Sequence, residues 1–152
     1  VDGQALPNPD WRHYRAMFSA VLTDFHLFEQ AALPEQGEQD ERARIWLQKL
    51  QLDHIVSVDN GEFSVVDLST GQRKRLAMVS ACLEDRSLLV LDEWAADQDP
   101  YFRKMFYEQL LPELKQQGLT LIVVSHDDRY FHVADRVLEL SRGGLVAYSP
   151  AA

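Results

Sequence analysis

The 152 residues hold a single cysteine, no excess of positive charge, and no apolar run near the ~20 residues that span a bilayer. Each scarcity excludes something. Cys82 alone cannot form an internal disulfide or a multi-cysteine zinc site. Ala81 and Leu83 beside it mark it as a packed thiol. Net charge is −9, whereas a general nucleic-acid binder carries a basic surface, so no nucleic-acid partner is expected. Val1-Asp2-Gly3-Gln4 lacks a basic segment followed by an apolar one and predicts no signal peptide. No internal repeat or low-complexity stretch is visible. The expectation is a soluble chain in a reducing compartment, with a membrane partner left open. What is present, 46% hydrophobic and 26% charged residues, suffices for one globular core.

The pattern along the chain predicts alternating strands and helices. Gly3, Pro7 and Pro9 mark a loop, and Asp10 caps a short helix through Trp11, His13 and Tyr14. Phe18–Leu22 reads as a strand, and Asp24 to Phe28 leaves the sheet edge. Pro34 and Gly37 mark a turn, and Ala43, Ile45, Trp46, Leu47 and Leu50 predict an amphipathic helix from Glu38 to Leu50. A turn follows at Asp59-Asn60-Gly61, then a helix over 71–83 capped by Ser69. Leu88–Leu91 and Thr120–Val124 read as strands buried on both faces. Between them, 101–117 is helical, with Pro112 allowing a kink or register change and Gly118 as the stop. Strand, long helix, strand predicts a crossover in a parallel sheet. Val137–Leu140 and Leu145–Tyr148 form a hairpin around Gly143-Gly144. Phe18, Phe28, Trp46, Phe102 and Phe106 are assigned to the core.

Three blocks carry chemistry. Asp92 and Glu93 close an apolar strand, and in an open sheet the carboxyl ends of strands face the ligand crevice. There Asp92 would hold Mg²⁺ and Glu93 would polarise an attacking water; a strand ending in surface acids is the plainer alternative. Ser69-Thr70-Gly71-Gln72 opens a helix, whose unpaired amides favour an anion such as a terminal phosphate, or merely cap the helix. His126, after the next strand, can hydrogen-bond a γ-phosphate or fix a water. Arg73-Lys74-Arg75 reads as a solvated helical face. His13, His26, His54 and His132 have no distinguishing pattern. The phosphate cradle itself is not here: no G-x-x-x-x-G-K-[ST] run occurs in the chain.

In this order and spacing the blocks resemble the ATP-binding cassette domain of ABC transporters, over nearly the whole chain from Tyr14 to Tyr148. Leu68-Ser69-Thr70-Gly71-Gln72 is similar to the family signature, Leu89–Glu93 to its Walker B segment, Ala96-Asp97-Gln98-Asp99 to its D-loop, and His126 to its switch histidine. Phe18–Val21, Asp24–Phe28, Asp92–Pro100 and Ser125–Phe131 look like the bacterial exporters of cyclic peptides, lipopeptides and siderophores, the group of the pyoverdine and syringomycin exporters. Two positions depart from the family pattern. Thr23, followed by Asp24, stands at the usual Q-loop glutamine, and Ala96-Asp97-Gln98-Asp99 replaces the common Ser-Ala-Leu-Asp.

The resemblance implies an α/β fold: part of a P-loop NTPase, with a mostly parallel sheet core, a helical subdomain and a C-terminal β-hairpin. It divides the chain into 1–28 (start of the catalytic core and Q-loop region), 29–83 (helical signature subdomain) and 84–152 (Walker B, D-loop, switch histidine). It implies ATP and Mg²⁺ as cofactors, with Asp92 and Asp24 at the metal and Glu93 and His126 catalytic. Ser69, Thr70, Gly71, Gln72, Asp97 and Asp99 would then contact nucleotide held by a second cassette in a head-to-tail dimer. The same polypeptide would carry a transmembrane domain that handles a peptide-like cargo, at the cytoplasmic face of the bacterial inner membrane. The P-loop half is expected upstream of Val1, and the 152 residues alone are expected to hydrolyse ATP weakly or not at all, to expose apolar sheet faces, and to unfold in part, self-associate or take strands from another chain. Two other accounts stay open: a cassette ATPase of DNA repair or of the ribosome, and a non-catalytic interaction domain that kept the fold.

Overall fold

Three of the predicted apolar runs come together as parallel strands in a computed structural model that describes residues 11–23, 38–64 and 67–148. In chain order the elements are α1 (Trp11–Arg15), β1 (Phe18–Val21), α2 (Glu38–Lys49), β2 (Val58–Asp59), β3 (Glu62–Phe63), α3 (Thr70–Leu83), β4 (Leu88–Asp92), α4 (Pro100–Met105), α5 (Leu111–Gln116), β5 (Thr120–Val124), β6 (Val137–Ser141) and β7 (Gly144–Tyr148). Short 3₁₀ turns occupy Trp94–Asp97 and Asp128–Val133. The sheet order is β1-β4-β5, all parallel, with Phe18 opposite Leu88 and Asp92 opposite Val124. β2–β3 and β6–β7 are separate antiparallel hairpins. The result is the expected mixed α/β fold with a parallel sheet core. Asp10, Asp24 and Phe28 lie outside the described residues.

β4 owes its central place to Leu89 and Leu91, which are fully buried, while Leu88 and Val90 are only half-buried. The reading of β5 as buried on both faces is corrected. Leu121 and Val123 pack on the core, but Ile122 and Val124 are about half exposed, because the face they share with half-buried Val90 of β4 is only partly covered by the described residues. α3 packs on β1, α2 on α3, and α5 on β5. Trp46, Phe102 and Phe106 are core residues as expected, whereas Phe18 is half-buried.

Local chemistry sets the element ends. Asn60 and Gly61 both have positive φ (51° and 77°), the backbone of a two-residue hairpin turn that suits Asn-Gly. Buried Asp40 on α2 accepts both of their amides at 2.9 Å, which ties the hairpin to the helix. Gly118 at φ 93° closes α5: its amide reaches Lys115 O (2.9 Å) and that of Leu119 reaches Leu114 O (3.2 Å), a Schellman stop. The expected register change near Pro112 is a π turn over Phe106–Leu110, where the Leu111 amide reaches back to Phe106 O. Proline brings no amide and crowds the preceding turn, so the ladder gains one residue just ahead of it. The last hairpin turns at Arg142-Gly143, one residue earlier than read, and Gly144 begins β7.

Candidate functional site

Parallel register delivers the residues after β4 and β5 side by side. The Glu93 amide extends the pairing to Val124 O at 3.0 Å, after which Glu93 turns sharply at φ 47°. That left-handed conformation is uncommon for a residue with a side chain and is held only where surroundings over-determine it. Here its carbonyl accepts from both Lys74 Nζ (2.9 Å) and the Ala96 amide (3.2 Å). The turn brings Glu93 Oε1 within 2.8 Å of His126 Nδ1. Glu93 is largely enclosed (27% exposed) while the imidazole is open to solvent (82%), so the pair has one fixed member and one that faces outward. Asp92 precedes Glu93 at the end of β4, and Thr23, after β1, donates its hydroxyl to Asp92 Oδ2 at 3.0 Å.

Both neighbours of His126 are anchored. The Ser125 hydroxyl shares a 2.8 Å hydrogen bond with Tyr107 in the π turn and accepts the Asp127 amide at 3.1 Å. Burial raises the Tyr107 phenol above its ordinary value, and its ring stacks on Tyr130. Asp127 receives two hydrogen bonds from Arg129, each 2.7 Å, which hold its carboxyl below the usual range. Arg103, one turn before Tyr107 on the same helix, lies 3.7 Å from Asp127 and donates to the carbonyls of Ala95, Ala96 and Gln98.

Ser69, Thr70, Gly71, Gln72, Asp97 and Asp99 form a second group. Ser69 Oγ accepts the Gln72 amide (3.3 Å) and the Gln72 side chain accepts the Ser69 amide (2.9 Å), a capping box that leaves Ser69 and Thr70 exposed. Gly71 presses against the 94–97 turn so closely that a Cβ there would lie 2.7 Å from Asp97 O. Gln98 donates to Gly71 O and accepts from Arg75. Asp97 pairs with Lys74 (2.7 Å); Asp99 caps α4 through the Phe102 amide and pairs with Arg75 (3.1 Å). That amide, first, holds the Asp99 carboxyl below its ordinary value. The solvated reading of Arg73-Lys74-Arg75 is therefore corrected for two members. Arg73 is exposed, but Lys74 is buried and Arg75 lies on the Phe102 ring, 3.4 Å from its centroid. Acids of the next turn supply the counter-charge that makes burial possible.

Residues 1–96 match the family described as ABC transporter. The chain belongs to the ABC transporter family. It is 45% identical over 97% of its length to the ATP-binding protein SyrD of Pseudomonas syringae pv. syringae, and covers 26% of that protein. It is 29% identical over 86% of its length to the lipoprotein-releasing system ATP-binding protein LolD 2 of Chlorobaculum tepidum, of which it covers 53%. Among solved structures, cbiO1 of Clostridium perfringens, part of the ABC transporter complex cbiONQ, superposes with a TM-score of 0.67. That match covers 89% of this chain and 57% of the other at 23% identity, a likeness of fold. The chain thus spans a quarter to a half of these curated relatives.

The chain is therefore part of an ABC-type ATPase domain, a class whose ligands are ATP and Mg²⁺. The donors present fit the metal. Asp92 and Thr23 offer hard oxygens of the kind Mg²⁺ takes while keeping several waters. Arg103 and Tyr107 escaped the sequence reading, which placed Thr23 only at the Q-loop glutamine and Lys74 only in a solvated run. Their partners lie 18 to 69 positions away or are main-chain carbonyls, and no local pattern announces such contacts.

Proposed function

We propose that this chain is the signature-bearing part of a cassette that hydrolyses ATP to drive export of a peptide-like or siderophore cargo. The contact that carries the reading is Glu93 Oε1 to His126 Nδ1, 2.8 Å, at the carboxyl ends of adjacent parallel strands and next to Asp92. Glu93 takes the proton of the attacking water, and His126 fixes the carboxylate while its exposed ring faces the terminal phosphate. Asp92, which accepts the Thr23 hydroxyl, would hold Mg²⁺, with Asp24 next to Thr23 in sequence; the metal would neutralise charge that develops on the transferring phosphoryl group. The first turn of α3 offers the Thr70 and Gly71 amides, which lie outside the capping box, to a phosphate held by a facing cassette, and Asp97 and Asp99 lie beside that edge. Residues 1–28, 29–83 and 84–152 serve as core start, signature subdomain and core end.

Among the described residues no helix is long and apolar enough to cross a membrane. The proposed export needs a membrane domain, which we assign to the same protein, with the cassette at the cytoplasmic face of an inner membrane. The cargo class rests on the resemblance of 18–28, 92–100 and 125–131 to peptide and siderophore exporters. ATP turnover by the intact protein, compared with the 152 residues alone, tests the enzymatic part. We expect the shorter chain to be slower by about a hundredfold or more, because phosphoryl transfer rests on positioning and no G-x-x-x-x-G-K-[ST] run is present in it. Equal rates contradict the reading. ATP-dependent uptake of a labelled lipopeptide or siderophore into inverted vesicles tests the cargo; uptake of neither overturns it.

A further inference from the structure

The buried member of the basic run is left unexplained by the proposed chemistry. The Lys74 side chain is only 3% exposed, and a buried ammonium is costly unless charge and hydrogen bonds surround it. Its two partners are Asp97 Oδ2 at 2.7 Å and the carbonyl of Glu93 at 2.9 Å. The contact is reciprocal: the indole N–H of buried Trp94, one residue after Glu93, donates to the carbonyl of Lys74 at 2.9 Å. Side chains thus cross in both directions between α3 and the turn that leaves β4. The residue they clamp is the one whose backbone is left-handed. With its amide on Val124 and its carbonyl on Lys74 and Ala96, the Glu93 peptide is fixed on both sides, and the side chain points at His126.

We infer that Lys74 is a positioning residue for Glu93, aiming its carboxylate through its own carbonyl and tying that aim, through Asp97, to the turn packed on Gly71. The inference rests on the reading of Glu93 as the base. Lys74 touches no reacting atom; its effect is on direction, and a small misdirection of a base costs rate far more than binding.

Three variants of the intact protein test it. Lys74→Met removes the donor and is expected to lower kcat by roughly tenfold to a hundredfold with the KM for ATP changed less than about threefold. Arg73→Gln, on the exposed neighbour, is expected to match the parent. The double variant Lys74→Met/Asp97→Asn removes both charges of the pair, whose lysine is buried and whose aspartate is half exposed, so that neither is left without a partner. It is expected to melt near the parent yet keep the low kcat, because the Glu93 carbonyl still lacks its donor. Recovery of kcat together with stability overturns the inference and leaves a purely structural lysine. Amide exchange and ¹⁵N shifts of the intact protein judge it without turnover. Lys74→Met should speed exchange at Ala96 and move the Trp94 amide, which follows the Glu93 carbonyl; unchanged signals at both overturn it. A parent with no Glu93-dependent turnover sinks the functional reading instead, and the amide signals still decide the role of Lys74.

Discussion

Asp127, next to the exposed His126, shows how one ion pair shapes a loop. Arg129 donates two hydrogen bonds to it, and these hold the folded carboxyl below its ordinary value. A carboxyl depressed in the folded state stabilises fully above the unfolded value of about 3.9, and that contribution is lost as pH falls through the folded value. Asp127→Asn is therefore expected to lower the urea midpoint near neutral pH, with the gap to the parent closing on acidification toward pH ~3. A gap that stays constant with pH would rule this out. Asp92, Glu93 and His126 were legible in the sequence because each follows an apolar run and obeys a local motif. Lys74 was not. A run of three cations reads as solvated unless the acids that neutralise it are known, and Asp97 lies twenty-three positions on.

Among the elements, the contact between α3 and the 94–97 turn is the tightest test of packing. Gly71→Ala places a methyl 2.7 Å from the Asp97 carbonyl, where backbone on both sides must yield. We expect a loss of about 1–3 kcal/mol in chemical denaturation; a change below ~0.5 kcal/mol would show that the two segments separate freely. Helix and strand positions followed from periodicity, Pro112 and Gly118. The exposed face of β5 did not, because a continuous run such as Thr120–Val124 reads alike whether one or two layers cover it. Its place at the edge is a property of sheet order, which pairs β4 with a β1 strand some seventy positions earlier.

Across the whole molecule, one core joins α2, α3 and the helix 100–116 to the sheet, and Cys82 reports on its integrity. Burial pushes the thiol up to about 12, so it is both shielded and protonated. Alkylation in native buffer at pH ~8 is expected to be slower than for a free thiol by two orders of magnitude or so, and to reach the free rate in denaturant. Fast native reaction would mean that the core opens readily. Among the described residues, Ile122 and Val124 on β5 and Leu138, Leu140, Leu145 and Val146 on the last hairpin are substantially exposed apolar side chains.

The account turns on the pairing of Glu93 with His126, and single-turnover hydrolysis of bound ATP by the intact protein tests it most directly. Glu93→Gln should slow the chemical step by about a hundredfold or more while ATP affinity stays within roughly threefold of the parent. Hydrolysis at the parental rate in Glu93→Gln would contradict it.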